Sequence, residues 1–385
     1  MRKKIVSITL VITLLLAFIT SFSYAEEAFD VKAKSAILID AESGEIIYEK
    51  NINEKLPPAS ITKIMLLLLT MESLDENRIT LQDEVVVSEN AAGMGGSQVY
   101  LEEGETQKVE HLIRAISLRS ANDCAVALGE YIAGSEELFV KMMNTRAKEL
   151  GMNNTNFMNI TGLPHENHYT TAYDISLMAK ELLKHPKIHN WLTLWMSSIK
   201  VGKEKDVTQQ LTNTNRLINK YKGINGLKTG YTSKAGHCLA ASAKRGNLKL
   251  ISVVLGSETS TIRFNETKKL LDYGFANYDS LQIAKKGSII RKMDVDKGEI
   301  EQVNIVIEKN LSLLLKKGQS KNIDKKIILP DKLQAPLEKN AKVGEIIYSI
   351  DGKEMGRTSL LTDREVNKAS VFFIFKKIFK KYVIN

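Results

Sequence analysis

Three short motifs carry side chains whose types and spacing suit acyl transfer: Ser60-Ile61-Thr62-Lys63, Ser120-Ala121-Asn122 and Lys228-Thr229-Gly230. A serine hydroxyl is a poor nucleophile until a base takes its proton, and one helical turn puts the Lys63 amine beside Ser60. To serve as a base near neutrality, Lys63 must lower its own pKa by about 3 units, roughly 4 kcal/mol of differential stabilisation. Burial, the positive end of a helix and a second cation at Lys228 all push that way. Ser120 can bridge the two ammonium groups and hand a proton to a leaving amine, while Asn122 offers an amide to a substrate peptide group. Lys228 and Thr229, on an edge strand facing a cleft, would give a terminal carboxylate a cation and a hydroxyl, and Gly230 would let the substrate backbone come close. The backbone N–H groups of Ser60 and Tyr231 are the expected donors to the oxyanion.

Each motif alone is common. The stretch PPASITKIM (57–65) reads locally as two prolines, a capping serine and the start of a buried helix. The functional reading rests on the order of the three motifs, separated by 60 and 108 residues, and on the elements that must carry them. AILID and EIIYEK predict a hairpin turning at Glu42-Ser43-Gly44. Helical periodicity dominates from Val109 to about Pro186, and strands return in HCLAASAKR and LKLISVVLGSE around a turn at Gly246-Asn247. A final helix, TIRFNETKKLLDYGFANY, closes the unit near Tyr278. Strands, then helices, then strands give an α+β class: an antiparallel sheet with packed helices, over residues 26–278. Short alternating runs between 279 and 365 predict a small all-β domain.

The ends read differently. Arg2, Lys3 and Lys4 precede an apolar run and Ser23-Tyr24-Ala25, the order of a signal peptide over residues 1–25, with an uncleaved anchor as the alternative. In the tail 366–385, Phe372, Phe375 and Phe379 share one helical face, while Lys376, Lys377, Lys380 and Lys381 lie mostly elsewhere. That is the pattern of an amphipathic helix lying in a membrane surface, the alternative being a helix docked on the protein itself. Of the nine net positive charges, three belong to the leader and five to the tail, so the body carries one. Nucleic acid is not an expected partner.

Cofactor and metal signals are weak. The glycine-rich stretch 88–105 lacks both GxGxxG and GK[ST] and is expected to be loop. No CxxC or HExxH occurs, and His165-Glu166-Asn167-His168 and the pair His185 and His189 each lack a third ligand. No cofactor and no metal is expected. Cys124 and Cys238 read as buried thiols, with one disulfide as the alternative.

The chain resembles the serine-type D-alanyl-D-alanine carboxypeptidases, low-molecular-mass penicillin-binding proteins of the type 5 class, from about Ala36 to the C-terminus. The likeness extends beyond the three motifs to PASITKIM, SANDCAVALGE, GLKTGYTSKAGHCLAASAKR and RFNETKKLLDYGF. It implies a transpeptidase-like α+β domain, a small β domain and an amphipathic anchor, in an exported protein on the outer face of the cytoplasmic membrane. It implies that Ser60 attacks the last D-Ala-D-Ala bond of peptidoglycan stem peptides and is acylated by β-lactams. It also gives Arg263 a share in holding the substrate carboxylate. A class A β-lactamase shares the motifs, but its deacylating glutamate would fall at Asn156, where no E-x-x-L-N stands. A catalytically silent penicillin-binding or wall-interaction protein is the third reading, and it leaves the full set of reactive groups without a purpose.

Overall fold

The computed structural model of the chain describes residues 29–318, 322–371 and 373. The expected leader at 1–25 and the tail beyond 373 lie outside the described residues. Strands β1 (Ser35–Asp40) and β2 (Ile46–Lys50) form the expected hairpin. Far along the chain, β3 (Ile224–Thr232), β4 (Gly236–Arg245) and β5 (Leu248–Ser257) complete an antiparallel sheet in the order β2-β1-β5-β4-β3. β1 pairs with β5, so the N-terminal hairpin closes on the last strand of the sheet. Every residue of β1 is buried, which requires cover on both faces.

The cover is helical. The longer helices are α1 (Lys63–Asp75), α2 (Val109–Arg119), α3 (Asn122–Ala133), α4 (Glu136–Glu149), α5 (Ala172–Leu182) and α6 (Ser260–Asn277). Both α5 and α6 pack on β1 and β5. α1, KIMLLLLTMESLD, is apolar nearly all round and accordingly sits inside, packed by α3 and α5. Its two interior hydroxyls are satisfied within the helix, Thr70 Oγ1 donating to Leu66 O and Ser73 Oγ to Leu69 O. One contiguous core runs from Ile37 through α1 and α3 to Leu255. The stretch 88–105 is mostly loop, as expected, apart from one short helical turn at Glu89–Ala92.

From Tyr278 onward the chain is strand and turn. A six-stranded sheet and a separate pair, Tyr278–Ala284 with Leu311–Lys316, enclose a second core that includes Val303, Ile305, Ile346, Leu360 and Val366. Pairing here continues past the expected boundary at 365: Leu337 bridges Val366, and Ala369 N donates to Lys297 O at 2.8 Å. The fold is thus an α+β transpeptidase-like unit followed by a small all-β one. Among the described residues, no helix is long and apolar enough to cross a membrane.

Candidate active site

The segment before α1 is not yet α-helical. Ala59–Thr62 forms a single 3-10 turn, and Ala59 is held at φ +48°, a left-handed value that costs a residue with a Cβ of order 1 kcal/mol or more. Ser60 follows it and lines a cavity of about 360 Å³. Lys63, at the first turn of α1, is completely buried. Its Nζ lies 3.3 Å from Ser60 Oγ, 2.7 Å from Asn122 Oδ1 and 2.8 Å from Thr161 O.

The electrostatics follow from that enclosure. Burial holds the Lys63 ammonium well below the ordinary lysine range, Lys228 adds like-charge repulsion, and Asp123 opposes both. Lys228, also buried, is brought down to about 7 by burial and by the Arg263 guanidinium. Both lysines are thus held below the ordinary lysine range by burial and by neighbouring positive charge.

The α2–α3 junction carries the second motif. Ser120 sits in the left-handed region at φ +67°, turning the chain between the helices. Its Oγ is buried and has no hydrogen-bond partner among the described residues, so its proton is uncommitted there. Asn122 lines the cavity and also has partners inside the protein. Its Oδ1 accepts from Lys63 and its Nδ2 donates to Gly95 O at 2.6 Å, so both ends of the amide are engaged inside the protein. It thereby ties the Lys63 amine to the Gly95 carbonyl, as buried polar atoms are paired wherever a partner lies in reach.

The third motif lies on β3, which is the edge strand, as expected. Lys228 and Thr229 are buried, and Thr229 Oγ1 donates to Thr214 Oγ1 at 2.8 Å. Gly230 makes a close contact that the sequence reading did not foresee. A Cβ there would lie 3.0 Å from Pro58 O and 3.1 Å from Ala59 Cβ, so the absent side chain makes room for the 58–61 turn. That close approach joins the Ser60 turn to the edge strand. Arg263, on α6, reaches the same strand: its Nη1 donates to Gly230 O at 3.0 Å and Cys238 O at 3.3 Å. Tyr231 is exposed, lines the cavity, and stacks on His237 with ring centroids 4.3 Å apart.

Several residues here escaped the sequence reading. Thr161 acts through a backbone carbonyl, which no side-chain pattern advertises. Gly162, at φ +83°, packs so close to the turn that a Cβ would fall 1.8 Å from Ala59 O. Buried Asp123 accepts from Val99 N, Leu101 N and Cys124 N, fixing the cavity wall. His168, from the motif weighed for metal, is buried instead, with its Nε2 3.0 Å from Thr62 Oγ1. Thr62 Oγ1 already donates to Ala59 O, so the ring nitrogen is the donor in that contact. Among the described residues, no group of three or more His, Cys, Asp or Glu is arranged to hold a metal ion. Both cysteines are buried free thiols. No carboxylate is among the residues lining the cavity, and Asn156 instead donates to Asn167 O at 2.7 Å.

Comparison with known proteins agrees with this geometry. The family profile described as D-alanyl-D-alanine carboxypeptidase matches residues 22–259, and that described as penicillin-binding protein 5, C-terminal domain, matches 278–368. D-alanyl-D-alanine carboxypeptidase DacF of Bacillus subtilis is 42% identical over 347 residues, covering 90% of this chain and 89% of that protein. The crystal structure of penicillin-binding protein 5 from Haemophilus influenzae superposes with a TM-score of 0.75 at 31% identity, over 88% of this chain and 98% of that one. Penicillin-binding protein D2 of Listeria monocytogenes, solved in its ampicillin-bound form, superposes with a TM-score of 0.57 at 31% identity over 64% of this chain and 99% of that one.

Proposed function

The chain belongs to the serine-type D-alanyl-D-alanine carboxypeptidases of the penicillin-binding protein 5 family, and from that premise we propose how its own residues carry the reaction. The enzyme removes the terminal D-alanine of peptidoglycan stem peptides and binds penicillins. The observation that carries the assignment of roles is the buried amine of Lys63, 3.3 Å from Ser60 Oγ and held by Asn122 Oδ1 and Thr161 O. Ser60 Oγ attacks the carbonyl of the penultimate D-alanine while the neutral Lys63 amine takes its proton. The N–H groups of Ser60 and Tyr231 hold the developing oxyanion.

The unpartnered Ser120 hydroxyl relays a proton to the leaving amine, and D-alanine departs as the ester forms on Ser60. Water then attacks the ester with Lys63 again the base, releasing the shortened peptide. Lys228 and Thr229 receive the terminal carboxylate, with Arg263 steadying their strand through Gly230 O and adding positive charge. A β-lactam enters the same path at its ring carbonyl, but its leaving nitrogen stays tethered and the ester persists. The absence of any carboxylate from the cavity lining speaks against fast penicillin turnover of the class A kind.

Two further assignments are part of this reading. Residues 1–25 act as an export signal, so the enzyme works on the outer face of the cytoplasmic membrane. The tail 366–385 supplies an amphipathic membrane-surface helix; Ser370 Oγ accepts from Phe373 N at 3.2 Å, the geometry of an N-cap, and Val371 is exposed.

The test uses the full chain with a fluorescent penicillin and a D-Ala-D-Ala peptide. A stable adduct together with D-alanine release is expected, and both should vanish in Ser60→Ala with an unchanged melting curve. Labelling that persisted in that variant would overturn the nucleophile assignment.

A further inference from the structure

The cavity at Ser60 has one charged residue in its lining, Arg119. It is the last residue of α2, directly before Ser120, and it is exposed. Its guanidinium has no hydrogen bond or ion pair among the described residues. No acidic residue lines the cavity to neutralise it, and the nearby carboxylate, Asp123, already accepts from three backbone N–H groups. Lys63, Lys228 and Arg263 are buried and committed to the machinery described above. Arg119 is therefore a surplus cation that comes from a different element than the KTG strand.

Its surroundings suit an extended acidic peptide. Gln98, whose side-chain amide has no partner among the described residues, lines the same cavity, as does Thr232, whose Oγ1 accepts from Ala235 N at 3.0 Å, and Tyr100 and Leu163, both exposed, offer apolar surface for the stem of a side chain. A guanidinium presents a planar fork of donors that matches a carboxylate, and such pairs are stronger than neutral hydrogen bonds.

We propose that Arg119 binds a second carboxylate of the stem peptide, on the acyl side of the bond that is cut, and so selects peptides in which that group is free. The inference rests on the reading of this cavity as the acyl-donor site of a Ser60 enzyme. Two sources share the chemistry: the side-chain carboxylate of a diamino dicarboxylic acid at the third residue, and the α-carboxylate of a γ-linked glutamate at the second.

The experiment measures D-alanine release by the full-length enzyme from matched pentapeptides. One has both carboxylates free, one has the third-residue group amidated, one has the second-residue group amidated, and one carries lysine at the third position. For the group that meets Arg119, wild-type kcat/KM should be about tenfold higher when it is free. In Arg119→Gln that ratio should collapse to about one, and Arg119→Lys should restore part of it. Which amidation matters identifies the source. The inference fails if the wild type shows no preference, if the ratio survives in Arg119→Gln, or if every peptide loses by the same factor. That last result would make Arg119 a ligand of the terminal carboxylate or a support for Ser120. No release from any peptide by the wild type would instead bring down the parent reading, and a melting curve shows that the variants are folded.

Discussion

The Lys63 amine lies 2.7 Å from the amide oxygen of Asn122, closer than its 3.3 Å to the Ser60 hydroxyl. In the proposed mechanism Asn122 orients the base while adding no charge that would keep it protonated. Asn122→Asp tests this. A carboxylate at that distance favours the ammonium form, so the pKa of Lys63 rises and less of it is neutral at pH 7. The acid limb of the pH profile for penicillin acylation should move up by about one unit or more, with roughly a tenfold slower reaction at pH 7. An unmoved limb would remove Lys63 from the role of base.

In the proposed mechanism Lys228 bears on the same proton. Its charge lowers the pKa of Lys63, and its own value of about 7 places its loss of charge in the working range. Lys228→Met should shift the acid limb of acylation upward and raise KM for the D-Ala-D-Ala peptide, because the terminal carboxylate loses a cation. Steady-state kinetics between pH 5.5 and 8.5 would show both effects, and a variant that changed KM alone would break the proposed coupling between the lysines.

The glycine at 162 is a packing requirement. A Cβ there would meet Ala59 O at 1.8 Å while the residue is held at φ +83°. Gly162→Ala should cost about 3 kcal/mol and displace the Ser60 turn, slowing penicillin labelling by about a hundredfold. A melting scan and the labelling rate read the two effects separately. Normal labelling would show that the turn does not depend on that contact.

His168 gives the fold a pH dependence. Burial, aided by the His165 charge, lowers its pKa to about 4 from the 6.5 of an exposed ring. Between these values the unfolded chain binds a proton that the folded protein does not, so stability is full above pH 6.5 and declines toward pH 4. The loss is about 3 kcal/mol across that window. Denaturant melts at pH 7 and 4.5 should show it, and His168→Asn should flatten that part of the profile. An equal slope in the variant would assign the effect elsewhere.

The place of truncation matters for membrane release. Asn304 is held by Asp363, Val366 is buried, and Ala369 N donates to Lys297 O, so the β domain uses the chain through Ala369. A cut after Ser370 should move the protein to the soluble fraction with its melting curve intact. A cut after Thr362 should destabilise the β domain by about 2 kcal/mol or more. A protein cut after Ser370 that still sedimented with membranes would show that the tail is not the anchor.

Much of this was legible in the chain because the chemistry is carried by side-chain type and local spacing. The one-turn offset from Ser60 to Lys63, the period of the helices and the alternation of the strands are short-range properties, and they were enough for the α+β class and for picking out residues that the fold brings together. The partners of Asn122 and the packing at Gly230 were not legible in that way. Each is decided by what another segment brings alongside: Lys63 and the Gly95 carbonyl for the amide, the Pro58–Ala59 turn for the glycine. Thr161 and Gly162 left no signal at all, since one contributes a carbonyl and the other the absence of a side chain. The same holds for the charge on Lys63. The sequence supplies the amine next to the serine, but burial by α1, α3 and the 161–162 segment removes it from water, and desolvation depends on the closed tertiary structure alone.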